Sequence, residues 1–222
     1  MLETTGKTSV INKIEHKGIP VTRLKTIRCE NTMIRFVSMW IVGLAILLFT
    51  WTFSFKALPE YIVRGGSGTF HVPVRAENEA LTFARIFLWN LCIGCIPIAI
   101  GNLVRLKGVP LGYILAFYHW GMYGILLGTN SFVIPGPGKF LPSLVTLFYG
   151  SGIYEISSYT LICSATFNLH ALYEKLGERS ESYGERKRHA PGVSKIESVL
   201  IALAILILAV SNYYEATHIF HA

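Results

Sequence analysis

Glu155 is the side chain in this sequence best placed to do chemistry, because it stands near the middle of Phe140–Leu169, a run otherwise apolar or weakly polar. A carboxyl group in a bilayer interior must be paired, hydrated or neutralised by a proton, and it is a functional candidate for that reason. At helical periodicity Ser151, Glu155, Ser158, Tyr159 and Thr166 share one stripe. Such a stripe has a structural use, hydrogen-bonding into a bundle with Glu155 answered by an arginine or a backbone amide. It also has a chemical one, lining a path for a proton, ion or substrate, or supplying a catalytic carboxylate. Elsewhere, Gly112, Ala116, His119 and Tyr123 share a face, on which His119 reads as a buried hydrogen-bonding partner before it reads as a ligand or proton carrier. The predicted buried polar centre is Asn90, His119, Ser151, Glu155 and Ser158.

Other chemistry is less well supported. Cys92 and Cys95 have C-x-x-C spacing but lie inside an apolar run without a second pair, so they read as packing cysteines. Cys29 and Cys163 complete the four cysteines, too few and too buried in apolar sequence for a disulfide framework. Gly6, Lys7 and Thr8 resemble the end of a phosphate loop whose earlier glycine would fall on Met1. No HExxH pair, double-glutamate protease motif or G-x-S-x-G elbow occurs; Gly66, Ser67 and Gly68 lack the glycine two residues before the serine. No enzyme activity, metal or cofactor is expected.

The elements that must hold these residues are membrane-length apolar runs. Of 222 residues 52% are apolar and 15% charged, and the mean hydropathy is +0.47, which places the chain in a bilayer. Five runs are long enough to contribute spans: Phe36–Phe55, Ile86–Val104, Leu111–Leu127, one within Phe140–Leu169, and Ser198–Val210. The 20 lysines and arginines against 13 acidic residues, all glutamate, could suggest nucleic acid. Their placement argues otherwise. Lys7, Lys13, Lys17, Arg23, Lys25 and Arg28 precede the first run, and Lys175, Arg179, Arg186, Lys187, Arg188 and Lys195 precede the last. Both blocks are expected to be cytoplasmic, and nucleic acid is not an expected partner.

The fold expected is an all-α membrane protein: a five-span transmembrane helical bundle, N-in and C-out, with a re-entrant or steeply tilted opening to the fourth span. Residues 1–32 are expected to form a basic cytoplasmic arm, amphipathic through Val10, Ile11 and Ile14, which either lies on the inner leaflet or stays solvated. Residues 33–222 form one transmembrane domain with an outer loop at 56–82 and a cytoplasmic basic loop at 172–196. The long polar stretch ahead of the first span does not resemble a cleavable signal, so that span is expected to remain as an anchor. Pro135, Gly136, Pro137 and Gly138 make a stiff outer connection.

Small residues supply close packing in lipid. Asn90, Gly94, Pro97 and Gly101 share a face of the second span, and Gly121, Gly124 and Gly128 a face of the third. These stripes predict contact between the second and third spans and serve a homodimer equally well. Pro97 should kink its helix and free a carbonyl for Asn90 or a neighbour to satisfy.

Three segments resemble the stage II sporulation protein M family of small multi-span membrane proteins. Ala84–Asn90, ARIFLWN, is similar to the opening of that family's second span, with Asn90 at its Asn. Gly150–Ser157, GSGIYEIS, resembles its Pro-His-Gly-x-x-Glu-Leu pattern, with Gly152 and Glu155 at the Gly and Glu and with Gly150 and Ser151 replacing the Pro and His. Ser211–Thr217, SNYYEAT, resembles its closing pattern through Glu215, Ala216 and Thr217. The resemblance implies an integral component that acts through other proteins, either recruiting cell-wall remodelling machinery or assisting export or self-protection in bacteriocin systems.

The reading is therefore a non-enzymatic, multi-pass cell-membrane subunit or scaffold that assembles with other membrane or envelope proteins. The alternative is a permease-like subunit of a transporter or exporter, with a polar path along the Glu155 face and a partner such as an ATPase docked on the basic loop.

Overall fold

The first long helix shows how this sequence builds its bundle. In the computed structural model, which describes residues 31–63, 78–106, 109–132, 138–169 and 193–221, helix α1 spans Thr32–Ala57. The Asn31 side chain caps it, accepting from Met33 N at 2.9 Å and Ile34 N at 3.3 Å. At its far end Lys139 donates to the carbonyls of Phe55 and Leu58, placing a cation where the helix dipole is negative. One stripe is buried, Arg35, Met39, Gly43, Leu47, Trp51 and Ser54 among it, at the three- and four-residue spacing of one helix face. Away from that stripe α1 exposes large apolar side chains, Phe49 and Phe53 among them.

The elements that follow are α2, Glu79–Asn90; a π-helical turn, Leu91–Cys95; α3, Ile96–Gly101; a short antiparallel pair, β1 Arg105–Leu106 with β2 Val109–Pro110; α4, Leu111–Thr129; α5, Leu144–Tyr149; α6, Gly152–Ala165; and α7, Lys195–His221. Helix makes up 79% of the described residues and strand 3%, an all-α architecture. Among the described residues three stretches are long and apolar enough to cross a membrane: Thr32–Ala57, Glu79–Gly101 and Lys195–His221.

Helix α6 is the centre, touching α1, α3, α4 and α7, and from Ser158 to Ala165 every residue is buried. Tryptophans tie it to its neighbours. Trp40 Nε1 on α1 donates to Ser157 Oγ at 2.9 Å and Trp120 Nε1 on α4 donates to Thr160 Oγ1 at 2.9 Å. The two indoles meet edge to face, with centroids 5.7 Å apart. Below them Asn102 Nδ2 donates to Cys163 O at 2.8 Å and Thr166 Oγ1 at 2.7 Å, closing the α3 end onto α6.

The glycine stripes distribute differently from the sequence expectation. Gly124 and Gly128 of α4 pack on α1: a Cβ at Gly124 would lie 2.6 Å from Leu47 O, and one at Gly128 2.7 Å from Trp51 O and Phe55 N. Gly121 faces Ile46 of α1 more loosely, at 3.6 Å. The stripe thus joins the third apolar segment to the first. Contact between the second and third segments rests on Gly101, whose added Cβ would lie 2.9 Å from Gly112 N. A face pattern shows that backbones approach but not which helix approaches, and that is where the expectation failed.

Helix limits also moved. α2 starts at Glu79, inside the expected 56–82 loop, because Asn78 caps it through Leu81 N at 2.8 Å. α7 starts at Lys195, inside the expected 172–196 loop, where Ser194 and Glu197 form a reciprocal capping box, and it continues past Val210 to His221. Pro97 does distort its helix. The π-helical turn ahead of it has Ile96 N bonded to Leu91 O, a widening that suits a ring that would otherwise press on the carbonyl four residues back. The arm at 1–30, the outer-loop glycines, Pro135–Pro137 and most of the basic loop lie outside the described residues.

Candidate functional site

The segment Phe140–Leu169 is interrupted: α5 ends at Gly150, whose backbone is extended, and α6 begins at Gly152. Glu155 therefore sits in the first turn of α6, where helix N–H groups point toward it. Its partner is neither an arginine nor an amide. The carboxyls of Glu155 and of Glu215 on α7 lie close enough to act on each other, with Ser151 beside Glu215. Glu155 Oε1 is buried with no hydrogen-bond partner, and no cation among the described residues pairs with either carboxyl.

Helix direction explains the meeting. Ser164 O and Glu197 lie together on Arg35 at one end of α6 and α7, while Ser211 Oγ donates to Ser151 O at 2.9 Å at the other, so the two helices are antiparallel. Each glutamate is one turn beyond the serine contact on its own helix. Side chains lean toward the helix N-terminus, so the two carboxyls lean toward each other and converge at the level of Ser151 and Ser211.

The same five-residue pattern makes both halves. Ser151-Gly-Ile-Tyr154-Glu155 and Ser211-Asn-Tyr-Tyr214-Glu215 are both S-x-x-Y-E. Apposed on antiparallel helices, they give the site local two-fold character. Tyr123 and Tyr159 lie close enough to feel the charge of both carboxyls. Glycines admit these rings: a Cβ at Gly152 would collide with the Tyr123 ring, and one at Gly94, in the π-helical turn, with Tyr159.

The predicted polar centre is only partly assembled. Asn90 Nδ2 donates to Asn212 Oδ1 at 3.0 Å instead of filling the carbonyl freed near Pro97. Ser158 Oγ turns back to Tyr154 O at 2.9 Å, within its own helix. His119 Nδ1 lies 2.7 Å from Leu115 O, and the His119 ring meets Tyr159 edge to face at 5.0 Å, so it adjoins the site through that tyrosine. Ala216 is fully buried, and Thr217 Oγ1 donates to Tyr214 O at 2.8 Å. Asn212, Ser211 and Tyr214 were missed as site residues, although the repeated S-x-x-Y-E was readable in the sequence.

A second polar cluster closes the opposite end. Arg35, fully buried, donates through Nη2 to Thr32 Oγ1 at 2.9 Å and Ser164 O at 3.0 Å and lies 3.5 Å from Glu197 Oε1. Asn168 Nδ2 donates to the same Glu197 oxygen at 2.9 Å. The Phe167 ring receives the guanidinium of Arg35 at 4.4 Å and that of Arg105 at 5.2 Å. With Arg35 reaching Thr32, Ser164 and Glu197, this cluster reads as a fastening of α1, α6 and α7.

No protein-family model, curated protein or solved structure matches this chain. The functional reading therefore rests on the site itself.

Proposed function

We propose that this chain is a multi-pass cell-membrane protein of five spans, N-in and C-out, acting as a permease-like, non-enzymatic subunit whose Glu155–Glu215 pair exchanges a proton or a cation. The observation that carries this reading is two carboxyl groups brought close together from separate helices, with no basic side chain among the described residues paired to either. Two adjacent carboxylates in a low-dielectric interior repel strongly, so the pair holds a proton or a bound cation. An interrupted helix beside it gives further support, since broken helices in membranes occur where backbone lines a site.

Dimensions support the span count. The 19 residues of α4 reach about 28 Å at the helical rise, close to a bilayer core. The 14 residues of α6 reach only about 21 Å, so α5 completes the fourth span as a tilted opening. The resemblance to the stage II sporulation protein M family belongs to the proposal, since Gly152, Glu155 and Glu215 are all at the site. An ATPase or other envelope protein is the partner class we propose for the cytoplasmic face.

Infrared difference spectroscopy of the reconstituted protein tests this. The protonated-carboxyl band should respond to external pH or cations and should diminish in E155Q and E215Q. A band present but unresponsive would make the pair a static clasp, and the scaffold reading would then replace this one.

A further inference from the structure

Helix α2 buries only Thr82 and Ile86 of its 12 residues, whereas α6 buries ten of 14. Helices in lipid are held by packing and interhelical hydrogen bonds, so α2 is lightly held. It leans on α7, where Phe83 meets Tyr213 edge to face at 6.0 Å and Asn90 Nδ2 donates to Asn212 Oδ1 at 3.0 Å. Two facing amides can exchange two hydrogen bonds. Here the second is missing, and Asn212 Nδ2 is buried without a partner among the described residues. Directly after Asn90 comes the π-helical turn Leu91–Cys95, with Pro97 two residues beyond it. Helices bend at such places because the regular hydrogen-bond ladder is interrupted. The turn has a bearing on α6, since a Cβ at Gly94 would collide with the Tyr159 ring.

We propose that α2 swings about the π-helical turn, with Gly94 on Tyr159 as its bearing and Asn90–Asn212 as its latch, and so opens the crevice between α6 and α7. Tyr159 stands one turn after Glu155 on α6, and Asn212 lies between Ser211 and Glu215 on α7. The swinging helix and its joint thus touch both helices that carry the glutamates. What the motion serves, access for the exchanged proton or cation, rests on the exchange reading above; the motion itself does not. An interhelical hydrogen bond in a membrane changes a population by only about threefold on average. A latch that also strands a buried donor holds less firmly still. Latched and unlatched forms are therefore both populated.

The test uses the full chain in phosphatidylcholine nanodiscs, in a cysteine-free background, with pairs of spin labels at exposed positions. Phe53 on α1 paired with Leu81 on α2 should give two distances, and Phe53 paired with Ile100 on α3, beyond the joint, should give one. N90A should raise the minor α2 population by about threefold and leave the α3 pair unchanged. A single α2 distance, a second distance for the α3 pair, or an α2 population indifferent to N90A each overturns the hinge. Access is read separately. Cysteines at Phe83 and Tyr213, joined by a short bis-methanethiosulfonate linker, should silence the response of the infrared carboxyl band to external pH, and a reductant that cuts the linker should restore it. A response that survives the linker overturns this inference and leaves the exchange reading standing. A band unresponsive in the unlinked protein sinks the exchange reading, and two α2 distances would then still support the hinge while one would still overturn it.

Discussion

Glu155 and Glu215, 60 residues apart in the chain, bring their carboxyl groups close to each other from antiparallel helices, and no basic side chain among the described residues pairs with either. Each is preceded four residues earlier by a serine, and the two serines touch. The contact is therefore built twice from one pattern.

Glutamine at either position retains the shape of the side chain and a hydrogen-bonding end but cannot exchange a proton. E155Q and E215Q should stay folded and unfold thermally close to the parent, with the exchange signal lost. E155A removes the partner of Glu215 and should cost about 1–3 kcal/mol in detergent unfolding. An E155Q protein that retains the full exchange signal would show that the pair is not the exchanging group.

Arg35 and Glu197 predict a different pattern. E197Q leaves the guanidinium buried without its carboxylate, which should destabilise by about 3–5 kcal/mol. An R35M/E197M double variant should recover much of that loss, measured as a double-mutant cycle in thermal unfolding. Additive losses would mean that the pair does not couple.

The glycines of α4 should respond unequally. Alanine at Gly121 has room, with its nearest atom at 3.6 Å, whereas at Gly124 and Gly128 it would meet α1 backbone at 2.6–2.7 Å. G121A should be neutral, and G124A and G128A should each cost about 1–3 kcal/mol. Leucine is not needed to reveal this seam, and equal tolerance of alanine at all three sites would contradict the α1 contact.

Topology is checked by labelling single cysteines in a cysteine-free background. A cysteine at Glu60, exposed beyond the end of α1, should react with an impermeant reagent added outside. One at Leu106, the exposed last residue of β1, should react only from the cytoplasm. The reverse result would invert the bundle.

The apolar runs and the special position of Glu155 were legible in the sequence because both are single-helix properties. What the sequence withheld was which helix answers which. The final run seemed to stop at Val210 because Ser211, Asn212 and Glu215 are polar, yet those residues are covered by Ser151, Asn90 and Glu155 and the helix continues through them. Ser158 lies on the expected face but bonds its own helix, since a serine can satisfy itself on the carbonyl four residues back. Arg35 and Glu197 stand at the ends of two runs, and their pairing appears only once α1 and α7 are side by side. The repeated S-x-x-Y-E was the one signal for a partner of Glu155, and it is visible only when the two segments are compared with each other.

The fastening of Arg35 also bears on how the protein is made. Glu197 is synthesised 162 residues after Arg35, so α1 emerges from the ribosome long before its carboxylate exists. Until then the arginine has Thr32 and Ser164 to donate to but no counter-charge, and water or lipid headgroups at the membrane edge must supply the rest. Arrival of α7 supplies Glu197 at one end and Glu215 at the other in a single docking step. A ribosome stalled just before α7 would leave Arg35 without Glu197 and Glu155 without Glu215. Such a chain is the form that membrane quality control should recognise and degrade, and completing α7 releases it from that fate.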